Sequence, residues 1–200
     1  MKKGTGKTGR PISFDKEAAL DAAMLLFWKR GYEGTSMADL TQAMGLNPSS
    51  IYAAFGDKRA LFQLAAERYM EKRAIYAGKA LKEPTLEKFI RALFDSTVAF
   101  LTTPGHPPTC MTLAGAAGCS VDASPARDLM TEMRKQNQIA LRQRLLKARK
   151  SGELSKDIDL DDYTRYLSTI VAGLSIQAAN GSTKAELKRT AQMALRHLGY

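Results

Sequence analysis

Cysteine, histidine and tryptophan are scarce in this chain, whose 200 residues hold two cysteines, two histidines and one tryptophan. Cys110 and Cys119 make no disulfide framework for a chain of this size, and both are expected to be reduced thiols. Neither belongs to a Cys-x-x-Cys pair. His106 and Cys110 are four residues apart, but Pro107 and Pro108 lie between them and break a helical turn. That scattered set leads us to expect no metal. The other histidine, His197, has no serine or carboxylate at a spacing that marks a catalytic group, so neither an enzyme nor a cofactor is expected.

Long apolar runs are missing too. None approaches the roughly 20 residues that cross a bilayer. Lys2, Lys3, Lys7 and Arg10 form a basic N-terminus with no apolar segment behind it, unlike a secretory signal. The expectation is a cytoplasmic protein without a membrane partner. Acids are also in deficit, with 20 Asp and Glu against 30 Lys and Arg, a formal charge of +10. Such a balance calls for an anionic partner, nucleic acid or an acidic surface. Gly6-Lys7-Thr8 looks like the end of a phosphate-binding loop, but the first glycine of that pattern would fall at Met1. Residues 1–12 read instead as a flexible basic arm.

What the chain does have is helical spacing, almost without period-two alternation. The fold class expected is all-α, with about nine helices: a three-helix head over residues 13–56 and a larger bundle over 57–200. Helix one should begin near Phe14 with Ser13 as its cap, burying Ala19, Ala23, Leu26 and Phe27 along one stripe. Thr35 or Ser36 should cap a short second helix that Gly45 stops, and Asn47 a third with Pro48 at its first position. Asp57 caps a long fourth helix to about Lys79. Helices are further expected over 85–103, 110–119, 124–150, 159–179 and from a cap at Ser182 to Leu198.

The informative stretch is GYEGTSMADLTQAMGLNPSSIYAAFGDKRALF, Gly31 to Phe62. Two short helices meet at a tight turn, Gly45-Leu46, with a longer helix on each side. This is the helix-turn-helix layout, whose second short helix enters the major groove of DNA. Such a helix needs an apolar inner face, here Ile51 and Phe55, and an outer face small enough to approach base edges. Asn47, Pro48, Ser49, Ser50, Ala53 and Ala54 meet the second condition. The outer face lacks Arg and Gln, so thymine methyls, water and DNA shape should carry more of the specificity than bidentate hydrogen bonds.

In these residues the chain resembles the TetR family of regulators. The marks are Ala23, Leu26-Phe27, Gly31-Tyr32, Thr35-Ser36, Leu40, Gly45, Ser50-Ile51-Tyr52, Phe55, Lys58 and Leu61-Phe62, all in register from Phe14 to Phe62. The resemblance implies a ligand-responsive transcriptional regulator, most often a repressor, that binds double-stranded DNA as a homodimer. It also implies that Thr35, Ser36, Tyr52 and Lys58 hold backbone phosphates. Asn47, Pro48, Ser49, Ser50 and Ala53 would then face the bases. A helical carrier or interaction protein with a degenerate helix-turn-helix is the competing reading.

Beyond Leu64 the resemblance is architectural and implies a cavity for a small-molecule effector. Tyr69, Tyr76, Phe89, Leu93, Phe100, Met111, Met130, Met133, Tyr163 and Tyr166 are the candidate lining, suited to an apolar ligand of limited polarity. The last two helices should form the dimer seam, through Leu160, Tyr163, Leu167, Ile170, Val171 and Leu174 on one and Leu187, Ala191, Leu195 and Leu198 on the other. The basic run Arg134, Lys135, Arg142, Arg144, Lys147, Arg149 and Lys150 reads as a solvated helix face.

Overall fold

Hydrogen-bonded caps and left-handed glycines cut the chain into helices. A computed structural model describes residues 14–114 and 124–200. The basic arm with its Gly6-Lys7-Thr8, the Ser13 cap and Cys119 lie outside the described residues. Among the described residues there are nine helices and no strand. They are α1 (Lys16–Arg30), α2 (Met37–Met44), α3 (Pro48–Phe55), α4 (Lys58–Leu81), α5 (Leu86–Leu101), α6 (Met111–Ala114), α7 (Ser124–Lys150), α8 (Leu160–Ala179) and α9 (Lys184–His197).

Helix α1 starts two residues later than the sequence pattern implies. The Asp15 carboxylate accepts hydrogen bonds from the amides of Glu17 and Ala18 and fixes the first turn there. Ser36 caps α2 through a reciprocal box with Asp39. Asn47 caps α3, Pro48 opens it, and Asp57 caps α4. Gly45 takes the left-handed conformation (φ 64°, ψ 28°) that the turn between α2 and α3 requires. Helix α9 begins after Thr183, not Ser182. The Thr183 hydroxyl accepts from the Glu186 amide at 3.3 Å while the Glu186 carboxylate accepts from the Thr183 amide at 2.7 Å, and only that register closes the box.

The buried side chains form two clusters. The first joins the three-helix head to the body. It contains Ala23, Phe27, Leu40, Ile51, Phe55 and Leu61, and continues through Tyr69 to Phe100, Cys110, Met111 and Met130. The second holds α5, α7, α8 and α9 together through Phe89, Phe94, Leu145, Leu167, Leu174, Leu187 and Leu195.

The joint between head and body is Trp28. It is 2% exposed, stacks on Phe100 at 5.5 Å, meets Tyr69 edge-on at 4.9 Å and lies 5.3 Å from His106. Its indole N–H donates to the carbonyl of Thr109 at 3.0 Å. On the outside of the same joint, Asp21 of α1 binds Arg68 and Lys72 of α4, each at 2.9 Å, and Glu17 reaches Arg68 at 2.8 Å. Burial opposes the Asp21 charge, but its bonds to Arg68 and Lys72 outweigh that and leave its carboxyl below the usual range.

Candidate nucleic-acid interface and cavity

Helix α3 is amphipathic over two turns. Ile51 and Phe55 are buried, while Asn47, Pro48, Ser49, Tyr52 and Ala53 are exposed and Ser50 is half-buried. Phe14 and the Lys16 ammonium lie over the Phe55 ring, at 6.2 and 5.4 Å. The Asn47 side-chain oxygen accepts from the Ser50 amide and the Ser49 hydroxyl, both at 2.8 Å. The start of the helix is therefore held rigid while the Asn47 amide nitrogen stays available outward. Tyr52 is 51% exposed.

Two further positions flank this face. Ser36, exposed at the start of α2, exchanges hydrogen bonds with Asp39, which also binds Arg30 at 2.7 Å. Those bonds, from the Ser36 hydroxyl and amide first and Arg30 next, hold the Asp39 carboxyl down at about 2. Lys58 opens α4 with its ammonium 4.4 Å above the Tyr32 ring. Burial lowers its pKa, and the Glu33 charge works the other way. Thr35 differs from its neighbours. It is fully buried and its hydroxyl donates to the Gly31 carbonyl at 2.7 Å, so the side chain braces the α1–α2 turn from inside. An inward hydroxyl leaves only the backbone of Thr35 to meet a phosphate.

A cavity of about 470 Å³ lies among α4, α5, α7 and α8. Tyr69, Tyr76, Phe89, Leu93 and Phe100 of the expected lining are in its wall. The other five are elsewhere. Met111 and Met130 are buried in the head-side cluster and Met133 packs against it. Tyr163 packs on the body cluster, and Tyr166 is 47% exposed on α8. Helical periodicity marks a residue as inward but does not separate a packed core from the wall of a void.

The sequence reading missed the polar part of the wall. Arg73, Arg134 and Arg165 line the cavity with Ser96, Thr97, Asn137, Gln138, Ser168 and Thr169, and among the described residues no carboxylate does. Arg134 donates to the Thr112 carbonyl and to the Thr131 hydroxyl. The basic run on α7 is thus not simply solvated. Arg144 is 6% exposed, donates to the Glu83 carbonyl at 3.0 Å and lies over the Phe89 ring, and Arg142 pairs with Asp161.

Cys110 closes the head-side end of the cavity. Its amide donates to the Ser175 hydroxyl at 2.8 Å. Its sulfur accepts from the Tyr69 hydroxyl at 3.3 Å and lies 3.1 Å from the Thr112 hydroxyl. Burial pushes this thiol up, but the Arg73 charge and those two hydroxyls outweigh it and leave the thiol below its ordinary value. Burial pushes the Tyr69 phenol well up, so it stays a neutral donor.

The expected dimer residues divide in two. Leu160, Leu167, Leu174, Leu187, Ala191 and Leu195 are buried within the protomer and close its own core. Tyr163, Ile170, Val171 and Leu198 are only partly buried. Beside them the surface keeps large apolar side chains open: Tyr166, Ile176 at 57% and Met193 at 53%. The leucines at seven-residue spacing mark the inner face of α8, and the sequence reading merged them with the outer one.

Comparison with known proteins places this geometry. Residues 19–65 match the model of bacterial regulatory proteins of the tetR family, and residues 86–194 match the tetracyclin repressor-like C-terminal domain. The chain is 31% identical to the HTH-type transcriptional repressor ComR of Escherichia coli, over 94% of this chain and 90% of that protein. It is 30% identical to the repressor BdcR of the same organism, over 96% and 93%. Among solved structures, a cysteine mutant of the TetR family transcriptional regulator CifR, complexed with 26-base-pair double-strand operator DNA, superposes with a TM-score of 0.89. It is 34% identical and covers 94% of this chain and 98% of its own. Among the described residues, no helix is long and apolar enough to cross a membrane.

Proposed function

The chain belongs to the tetR family of bacterial regulatory proteins, which are DNA-binding transcriptional regulators, and from that premise we propose that it is a cytoplasmic repressor. It binds a near-palindromic operator as a homodimer, releases it when a small molecule enters the cavity, and acts by binding alone, without turnover. The observation that carries this reading is the outer face of α3, where Ser49, Ser50 and Ala53 are small, Tyr52 is exposed and Asn47 caps the first turn, above an apolar inner face.

In this reading Asn47, Pro48, Ser49, Ser50 and Ala53 approach base edges, while Ser36, Tyr52 and Lys58 hold backbone phosphates. The exposed Tyr166, Ile176 and Met193, with Tyr163, Ile170, Val171 and Leu198 beside them, pair with a second copy, and two-fold symmetry then sets two α3 helices on successive major grooves. A ligand changes operator affinity only if it favours one arrangement of the heads over the other. Two routes run from cavity to head: helix α4, which carries Tyr69 and Tyr76 and starts at Lys58, and Trp28 of α1, which rests on the wall residues Tyr69 and Phe100. A coupling of about 1–3 kcal/mol is ordinary for such a device.

Selection of bound DNA from a random pool tests the proposal. We expect a site with a dyad, bound with a salt dependence that Lys58→Ala flattens by about two units, about one for each protomer's lysine. Asn47 or Ala53 variants should change the preferred sequence. Selected sites without a dyad, or a Lys58→Ala protein that binds like the parent at every salt concentration, would count against it.

A further inference from the structure

We propose that the cavity takes an anion: a small molecule with an apolar body and an acid group, the acid held by Arg73 and Arg134. This rests on the reading of the cavity as the effector site and narrows the effector's chemistry. Among the described residues the wall contains three arginines and no carboxylate. Arg165 is already paired with Asp162 at 2.5 Å. Among the described residues neither Arg73 nor Arg134 has an ion pair, and the groups that Arg134 does meet, a carbonyl and a hydroxyl, are neutral. A cation at an apolar wall is destabilised unless a counter-charge reaches it.

Both free charges sit toward the same end. Arg73 acts electrostatically on the Cys110 thiol and the Tyr69 phenol, Arg134 donates to the Thr112 carbonyl, and the Thr112 hydroxyl meets the Cys110 sulfur. Apolar wall is supplied by Phe89, Leu93 and Leu141, which pack with the body cluster, whereas Tyr69 and Cys110 belong to the head-side one. The wall therefore offers two guanidiniums together with aliphatic and aromatic surface, the complement of an amphipathic acid. A guanidinium suits such a group because its planar donors match a carboxylate, sulfonate or phosphate. A neutral ligand of the same shape would leave both charges unanswered, and a cationic one would be repelled.

Two naphthalene probes test this: 8-anilinonaphthalene-1-sulfonate and its uncharged counterpart N-phenyl-1-naphthylamine, titrated into the full chain by fluorescence. We expect the sulfonate to bind at least about tenfold more tightly, in line with a charge-assisted hydrogen bond. Arg73→Met and Arg134→Met should each remove most of that preference and leave the neutral probe within about twofold. Leu93→Trp should abolish binding of both, which assigns the signal to this cavity. Equal affinity for the two probes, a preference that survives both arginine variants, or sulfonate binding that survives Leu93→Trp would overturn the proposal. Circular dichroism checks the fold of each variant, and if Arg134→Met does not fold, Arg73→Met alone decides. Operator release is read separately by DNA anisotropy. A sulfonate that binds through Arg73 and leaves the operator complex intact supports the anion site and sinks the effector reading instead.

Discussion

The two buried clusters of this protein differ in composition and in what they join. The body cluster is mainly leucine and alanine, contributed by α5, α7, α8 and α9. The head-side cluster is aromatic: Phe27, Tyr32 and Phe62 meet at 5.0–6.3 Å, and Trp28, Tyr69, Tyr76 and Phe100 at 4.9–5.8 Å. Aromatic pairs prefer defined mutual angles, whereas aliphatic cores tolerate volume-conserving exchange. The aromatic cluster has the DNA-reading helices on one side and the cavity wall on the other. The aliphatic cluster shares Phe89, Leu101 and Leu141 with the cavity wall, and the helices α8 and α9 that it joins leave Tyr166, Ile176 and Met193 exposed. Under the proposed function, the first would relay a ligand's presence to the DNA and the second would hold a fixed frame.

Substitutions can break that contrast. Trp28→Ala should have the largest effect, about 3–5 kcal/mol lost in denaturant unfolding, and effector titrations should show the operator response lost as well. Leu167→Ala in the body cluster should cost about 2–4 kcal/mol but leave the response of the folded protein intact. Equal responses in the two variants would erase the distinction. Ile176→Lys places a charge on the open face without touching either cluster. Sedimentation should shift from dimer to monomer while the unfolding of the protomer hardly changes, since surface substitutions stay within about 0.5 kcal/mol. Trp28→Phe keeps a ring but drops the bond to Thr109, and should cost about 1–2 kcal/mol.

The smallest effect concerns pH. The Asp21 carboxyl is lowered from 3.8 in the folded chain, so its pairing with Arg68 and Lys72 contributes fully above the unfolded value and is lost as pH falls through the lowered one. Asp21→Asn should therefore flatten the stability profile below about pH 5 and lower stability at neutral pH by about 1 kcal/mol or less, because both partners are partly solvated. A profile unchanged in the acid range would show that the clasp adds nothing.

The head was legible because its signals are local. Ser36, Asn47, Asp57, Pro48 and Gly45 each act within a turn of their own position, so spacing alone places α2, α3 and α4. Trp28 was not legible. It sits one residue past the Ala19, Ala23, Leu26, Phe27 stripe and is buried by partners distant in sequence, Tyr69, Phe100 and the segment bearing His106 and Thr109. For the same reason Met111, Met130 and Met133 looked like wall and are core. Arg134 looked like a solvated charge and Arg73 carried no signal at all, yet both line the cavity, since long basic side chains take their meaning from what lies at their tips. The α8 helix is apolar on two sides, which a single periodic stripe cannot represent.

The sole tryptophan of the chain is also its optical gauge. An indole this dry should emit toward the blue, and its contacts with Tyr69 and Phe100 place it one side chain away from any occupant of the cavity. Its neighbour His106 is an imidazole whose pKa burial pushes down, so it stays uncharged beside the ring at neutral pH and should quench little there. Intrinsic fluorescence should therefore report ligand entry, and any head movement that accompanies it, in the unmodified protein, with no dye attached and no residue replaced.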